Sequence, residues 1–566
     1  MALGAAAEFA TFARSDTAFL LYAAERVLDG ARLYVDVVEI NPPLIVVLNM
    51  PAVLLARAIG TSDIAVYRAL VTVALLGALA FSDWSLRRAL GPGSDRLRRR
   101  LVLVLAFALF LAPGNDFGQR EHLLVALSLP YVLLAVGRLS GRPAPRGPAL
   151  AAGLLAGLGL ALKPHFLLAW VAVEGYASWR LRARRLSYEA LGAVSFLALY
   201  AAGVAVLTPQ YFSLVRLLGP AYSGFGHDPF LHVLVTAPGT TVCYLAVLVY
   251  AALFREAKHP ALWAVLLLAL VASFVAGAAQ QKGWDYHFYP PRVFALVLLA
   301  LAVMDVRRPL VRSVRQVYAA VAFAALATSL LSSAAEGIIR VRHRDPARQS
   351  EQAQLDEMVT AVRRHTPPGG SLYVFSYTIG SSFPLVNYSG VRWASRFPHL
   401  WIIEAAYNDQ LHAPSPLRFH APAEMNAAER YLNDAVYEDL TRYRPDVLMV
   451  LRHARDTQEN SLRRVDYLAY FGRDPRIAGE LRRYRLAEEV GQYLLYVRAA
   501  SADQPGLPPK SEPGRYDVVR PVTSVGWQAL LADPGFLPEV GVFLLLAVCA
   551  YMVERRRARG AATESP

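Results

Sequence analysis

Cysteine is nearly missing. There are two in 566 residues, Cys243 and Cys549, both inside apolar runs and neither with neighbours at metal-ligand spacing. No disulfide framework or zinc site follows, and both read as packing residues. Charge is scarce as well: 18% of residues are charged and 55% hydrophobic, with a mean hydropathy of +0.32. That balance is too apolar for a soluble enzyme and too polar for a chain made only of membrane spans. A polytopic membrane protein carrying one water-soluble domain satisfies both. Also absent are a P-loop, a dinucleotide fingerprint, a Gly-x-Ser-x-Gly elbow, a His-Glu-x-x-His pair and any solenoid-type repeat, which argues against ATP-driven transport and the common hydrolases. Residues 1–15 lack the basic start, apolar core and cleavage site of a signal peptide, and are too short and mixed for a span of about 20 residues. The expectation is that the chain begins on the outer side of the membrane, or that a first span precedes it.

What is present is a net charge of +14, distributed in a way that argues against nucleic acid. Arginine-rich turns near 87–100, 138–146, 180–185, 255–258, 307–315 and 555–559 alternate with arginine-poor turns near 114–119, 163–165, 208–236 and 280–292. The positive-inside rule makes the first set cytoplasmic and the second external. Residues 44–59 then cannot be an ordinary crossing, and read as a juxtamembrane or re-entrant helix started by Pro42-Pro43. From residue 336 the composition changes. Leu355, Met358, Val359 and Val362 recur at helical spacing, and apolar runs starting at Ser371, Asp446 and Tyr493 read as buried strands. The predicted fold is mainly α: a polytopic membrane helical bundle of about eleven spans plus juxtamembrane helices, with a small external α/β domain. The expected divisions are 1–62 (first external loop with juxtamembrane helices), 63–335 (transmembrane module), 336–533 (external domain) and 534–566 (last span and basic tail).

The polar residues expected on the external side form one set: Asp16, Asp36 and Glu39; Asn115, Asp116, Gln119, Arg120, Glu121 and His122; Lys163 and His165; Lys282, Trp284, Asp285, Tyr286, His287 and Arg292. Ionisable residues at membrane depth are costly and tend to line a cavity that carries function. Acids in one loop and bases in three others suggest a general base facing an anion site. Each residue also has a plainer reading. Asp16 suits the N-cap of a helix starting at Thr17, Asp36 and Glu39 suit solvated loop acids, Arg120–Glu121 a local ion pair, Lys163 a snorkelling lysine, and Trp284 and His287 interfacial anchors. Asp36, Glu39 and Glu121 are hard oxygen ligands that would suit magnesium or manganese. The stretch 388–401, with Trp393, His399 and Trp401, reads as a packing surface for the membrane part or as a sugar-stacking platform.

Asp16, Gly30-x-x-x-Tyr34-x-Asp36 and Asn41-Pro42-Pro43-Leu44 resemble the first external loop of GT-C-fold membrane glycosyltransferases, in the protein mannosyltransferase and aminoarabinose transferase branch. Gly118-Gln119-Arg120-Glu121-His122, Leu162-Lys163-Pro164 and Gly283-Trp284-x-Tyr286-His287 resemble later loops of that family, so the likeness covers roughly residues 16–335. It implies an inverting hexosyl or pentosyl transfer from a polyprenyl-phosphate-linked sugar to a glycan, lipid or protein, in a bacterial inner membrane with the active site facing the periplasm. By position it makes Asp16 the catalytic base. Arg120, Lys163 and His165 would hold the donor phosphate, and Asn41, Gln119, His122, Lys282, Trp284, Tyr286 and His287 would be substrate contacts. Asn41 departs from a lysine often found before the paired prolines, which moves that charge to Lys163 or Lys282. Two rival readings are a secondary transporter or lipid flippase using the same cavity, and an external binding module on an inactive membrane part.

Overall fold

Proline and glycine punctuate the apolar runs, and the helices follow that punctuation. In the computed structural model, which describes residues 1–306, 314–342, 346–411, 417–452 and 465–499, α1 (Ala2–Phe9), α2 (Ser15–Leu28) and α3 (Leu44–Ile59) precede the long α4 (Asp63–Leu90). Gly60, left-handed at φ 67°, ends α3. Next come α5 (Asp95–Phe110), α6 (Arg120–Leu139), α7 (Arg146–Leu162), α8 (Leu167–Leu181) and α9 (Tyr188–Leu207). They are followed by α10 (Gln210–Gly224), α11 (Phe230–Thr236), α12 (Thr240–Leu253), α13 (Pro260–Ala278), α14 (Tyr289–Met304) and α15 (Val314–Val341).

Six described helical stretches are long and apolar enough to cross a membrane: α4, α6, α9, α13, residues 285–304 ending in α14, and 317–341 within α15; the pair around Pro238, bent by 76°, makes up to seven. The chain is an integral membrane protein. The expected count of about eleven is larger, because α5, α7 and α8 have only 16, 17 and 15 residues and the expected last span, with Cys549 and the basic tail, lies outside the described residues. Helices α6 and α14 are largely buried, whereas α9 and α15 are peripheral, with Leu199, Val206, Leu207 and Leu331 exposed. Such a face is what lipid covers.

Arg57, near the end of α3, lies 2.9 Å from Asp29 and 3.3 Å from Glu25. The end of α3 therefore lies beside the end of α2.

The C-terminal part carries a five-stranded mixed sheet of β1 (Ser371–Phe375), β2 (Arg392–Trp393), β3 (Val447–Leu451), β4 (Tyr484–Val490) and β5 (Tyr493–Arg498), in the order β2-β1-β3-β5-β4. Strand β1 is parallel to β2 and β3, while β5 is antiparallel to β3 and β4. Every residue of β1 and β3 is buried, which is why they read as continuous apolar runs. Helix α16 (Pro346–His365) buries Leu355, Met358 and Val362.

Helix α2 joins the two parts. Its Tyr22 hydroxyl accepts from the Trp393 amide at 2.9 Å, its Ala18 carbonyl accepts from Asn387 at 3.1 Å, and Phe19 meets Phe383 with ring centres 5.3 Å apart. Trp393 is buried, with its indole N–H given to the Phe397 carbonyl and its ring against Tyr373 and Phe383, so the ring belongs to the core of the C-terminal domain and is not a sugar-stacking surface.

Candidate active site

Asp16 stands in the first turn of α2, behind Arg14 in the cap position, and its side chain makes no capping bond. The Gln119 amide donates to Asp16 Oδ2 at 3.5 Å. The carboxylate thus faces away from its own helix end, and its field reaches Arg120, Lys163, Tyr222, Tyr286 and His399.

The start of α6 is shaped by Gly118 and His122. Gly118 has φ +76°, and a Cβ there would lie 2.9 Å from the Tyr67 ring, whose hydroxyl donates to the Gly118 carbonyl at 2.5 Å. Only glycine combines that dihedral with that approach. His122 is fully buried: its Nδ1 accepts from the Gly118 amide at 2.9 Å, and its Nε2 lies 2.9 Å from the Leu109 carbonyl. Both ring nitrogens thus hold backbone, which corrects the expectation of a substrate contact.

This staple places Arg120 and Glu121 at the positive end of α6. Arg120 does not pair locally with Glu121. Instead Glu121, fully buried, lies 2.9 Å from Lys163 Nζ and 3.9 Å from His287 Nε2. In this cluster Arg120 Nε and Nη1, both Glu121 oxygens, His165 Nε2 and His287 Nδ1 are buried with no hydrogen-bond partner among the described residues. A guanidinium always carries donors, so two of these atoms are donors awaiting an acceptor. Burial pushes the His165 imidazole down to about 3, helped by the Lys163 and Arg120 charges, so the ring is neutral. Burial also lowers Lys163, seconded by Arg120 and opposed by Glu121. The Tyr286 ring takes Arg14 and Lys163 each at 5.4 Å, stacking that lends a desolvated cation part of its lost solvation.

Lys282 is placed otherwise. Its ammonium donates to the Tyr222 carbonyl at 3.0 Å and to the Phe225 carbonyl, and sits 4.3 Å from the Tyr222 ring and 4.9 Å from that of Trp284. Burial lowers it to about 8. Lys282 and Trp284 therefore organise the loop after α10, and the idea that Lys282 supplies phosphate-binding charge is corrected.

Glu39 is buried and accepts from the Asn41 backbone at 2.8 Å and from its amide group; its field also reaches Arg120. Tyr34, at φ 71°, donates its hydroxyl to the Asn41 carbonyl at 3.0 Å, which pins the loop. Asp36 belongs to a different contact. Burial raises its carboxyl, but bonds from the Arg32 backbone, Arg442 and the Arg32 side chain outweigh that and hold it at about 2. Asp36 is a docking residue for the C-terminal domain. Asp36, Glu39 and Glu121 thus face three different partners, and no group of three metal-ligating side chains gathers among the described residues. The divalent-cation option does not fit them.

Three contributors were not singled out for the site by the sequence: Arg14, Tyr222 and His399. Arg14 is bonded to Asp116, which also lies 3.7 Å from Arg292; burial raises Asp116 to about 6 against those two cations. His399 comes from the C-terminal domain, and burial lowers it to about 4 against the field of Asp16. A position two residues before Asp16 was a signal for Arg14; His399 stood in the aromatic stretch 388–401, but nothing in the sequence tied it to Asp16.

The overall fold is similar to that in the crystal structure of ArnT from Cupriavidus metallidurans bound to undecaprenyl phosphate: TM-score 0.51, 11% identity, 88% of this chain and 96% of that one. The chain has the GT-C fold. The arabinofuranosyltransferase AftD from mycobacteria also matches, at TM-score 0.38 and 17% identity over 80% of this chain and 35% of that one. No protein-family model and no curated protein sequence matches.

Proposed function

We propose that this GT-C-fold protein is an inverting glycosyltransferase that moves a sugar from a polyprenyl-phosphate carrier to an acceptor at the outer face of a bacterial inner membrane. One observation carries the reading: buried donors of Arg120, beside Lys163, lack an acceptor among the described residues. A buried cation without hydrogen-bond partners is expensive, and a lipid-linked phosphate supplies the missing acceptor oxygens. The undecaprenyl phosphate in the ArnT crystal structure is that kind of ligand.

The chemistry follows from placement. Asp16 accepts the proton of an acceptor hydroxyl, and that oxygen bonds to the anomeric carbon from the face opposite the phosphate. The bond between the anomeric carbon and the phosphate oxygen breaks, and the electron pair leaves with the phosphate. Arg120 and Lys163 stabilise that charge from fixed positions. Purified protein incubated with a panel of polyprenyl-phosphate sugars tests this. Turnover of one donor to an inverted product supports transfer; movement of an intact donor across a bilayer without cleavage favours the flippase reading instead.

A further inference from the structure

A second polar cavity, of about 300 Å³, lies beside the Asp16 helix and is lined by side chains that the transfer step above does not use. It is bounded by residues 8–17, Ile64, Tyr67 and Arg68 at the start of α4, Asn115 and Phe117, Asp285, and Glu351 of α16. Its size is at the lower end of the ligand-pocket range. Two features set its chemistry. First, Arg68 points a guanidinium at it for which no described residue is a hydrogen-bond partner, with Glu8 the charge whose field it feels most. Second, the wall mixes Arg14 and Arg68 with Glu8, Asp285 and Glu351; Arg14 is already paired with Asp116 and Glu8 with Arg340, which leaves Arg68 against Asp285 and Glu351. A lining with no surplus of positive charge does not select a polyanion, and one rich in carboxylates and hydroxyls does not select a hydrocarbon tail. It matches a ligand that donates and accepts hydrogen bonds everywhere and carries no net charge, with Phe12, Tyr67 and Phe117 as apolar wall for ring C–H faces.

We infer that this cavity is the acceptor subsite and takes a neutral, hydroxyl-rich glycan, with Arg68 as its specificity residue. The inference rests on the transfer reading above and names its acceptor class. The cavity meets α2 at Ser15 and Thr17, on either side of Asp16. Arg14 lines the cavity and also lies over Tyr286, whose other cation is Lys163. One residue thus separates the glycan space from the phosphate space.

The test uses the full chain in detergent, an array of neutral pentose and hexose oligosaccharides, and undecaprenyl phosphate as a separate probe read by thermal shift. Two variants are compared with the parent. Arg68→Gln removes the charged donor, and Thr11→Trp fills the cavity while leaving Arg68 in place. The expected result is that the parent retains at least one oligosaccharide, that both variants lose about tenfold or more in affinity, and that stabilisation by undecaprenyl phosphate is unchanged. Oligosaccharide binding unaltered in both variants would overturn the inference. So would a parent that is stabilised by undecaprenyl phosphate and binds no neutral oligosaccharide. A parent that binds oligosaccharide through this cavity but is indifferent to undecaprenyl phosphate supports the cavity's ligand and counts against the donor reading alone.

Discussion

Two buried ionic clusters sit in the helical bundle, and they differ in how completely they are bonded. In one, Arg138 of α6 donates to both oxygens of Glu174, at 3.1 and 2.5 Å, while Tyr131 and Ser187 donate to the same carboxylate at 2.6 and 2.9 Å. Arg138 Nε, buried without a hydrogen bond, stands 3.7 Å from Glu189. In the other, at the opposite end of the same helix, two buried donors of Arg120 and single ring nitrogens of His165 and His287 have no hydrogen-bond partner among the described residues. Both arginines are largely buried, but Arg138 has its two terminal nitrogens bonded to a carboxylate and Arg120 does not. The difference lies in what the protein leaves open: a closed cluster ties α6, α8 and α9 together, and an open one waits for a ligand.

The largest effect that would sharpen this contrast is on turnover. Asp16→Asn keeps the shape and the bond to Gln119, and transfer should fall by about 10²–10⁴-fold with an unchanged melting temperature. Full activity in a folded Asp16→Asn protein would remove it as the base. Glu174→Ala attacks the closed cluster. It strands Arg138 with only Glu189, so a loss of about 3 kcal/mol is expected, seen as early thermal unfolding in detergent. Arg120→Gln does the reverse: activity drops by about 10²–10³-fold with little change in thermal stability. If Arg120→Gln melts as early as Glu174→Ala, the two clusters are the same kind of object and the contrast fails.

The smallest effect concerns Asp36, which belongs to neither cluster. Its folded-state value, about 2, lies below the ordinary 3.8. Its contribution is therefore complete above about pH 4 and vanishes as pH falls through 2. Since Arg442 is mostly exposed, the pair contributes under about 1 kcal/mol. Asp36→Asn should flatten the acid limb of a stability-versus-pH curve between those values and leave neutral pH nearly untouched.

Legibility in the sequence followed local physics. Strands β1 and β3 were readable because both faces are buried and the apolar run is unbroken, and β5 because its apolar run is unbroken although half its residues are only partly buried. Strand β4 was missed because four of its residues, Arg485, Leu486, Ala487 and Glu489, are exposed, and it is held by pairing with β5. Residues 118–122 were recognisable as a unit, yet composition could not say that His122 staples backbone while Arg120 stays open. That division depends on Tyr67 and Leu109, which are distant in sequence.

The amino-acid order by itself determined which segments are apolar enough to enter a membrane, where they stop, and that acids and bases collect in alternate loops, because hydropathy and loop charge act residue by residue. Only the tertiary structure decided which charges meet. Glu121 found Lys163, Asp36 found Arg442, Asp116 found Arg14, and Arg120 found no acceptor among the described residues. Pairing depends on distances between helices that no single segment encodes.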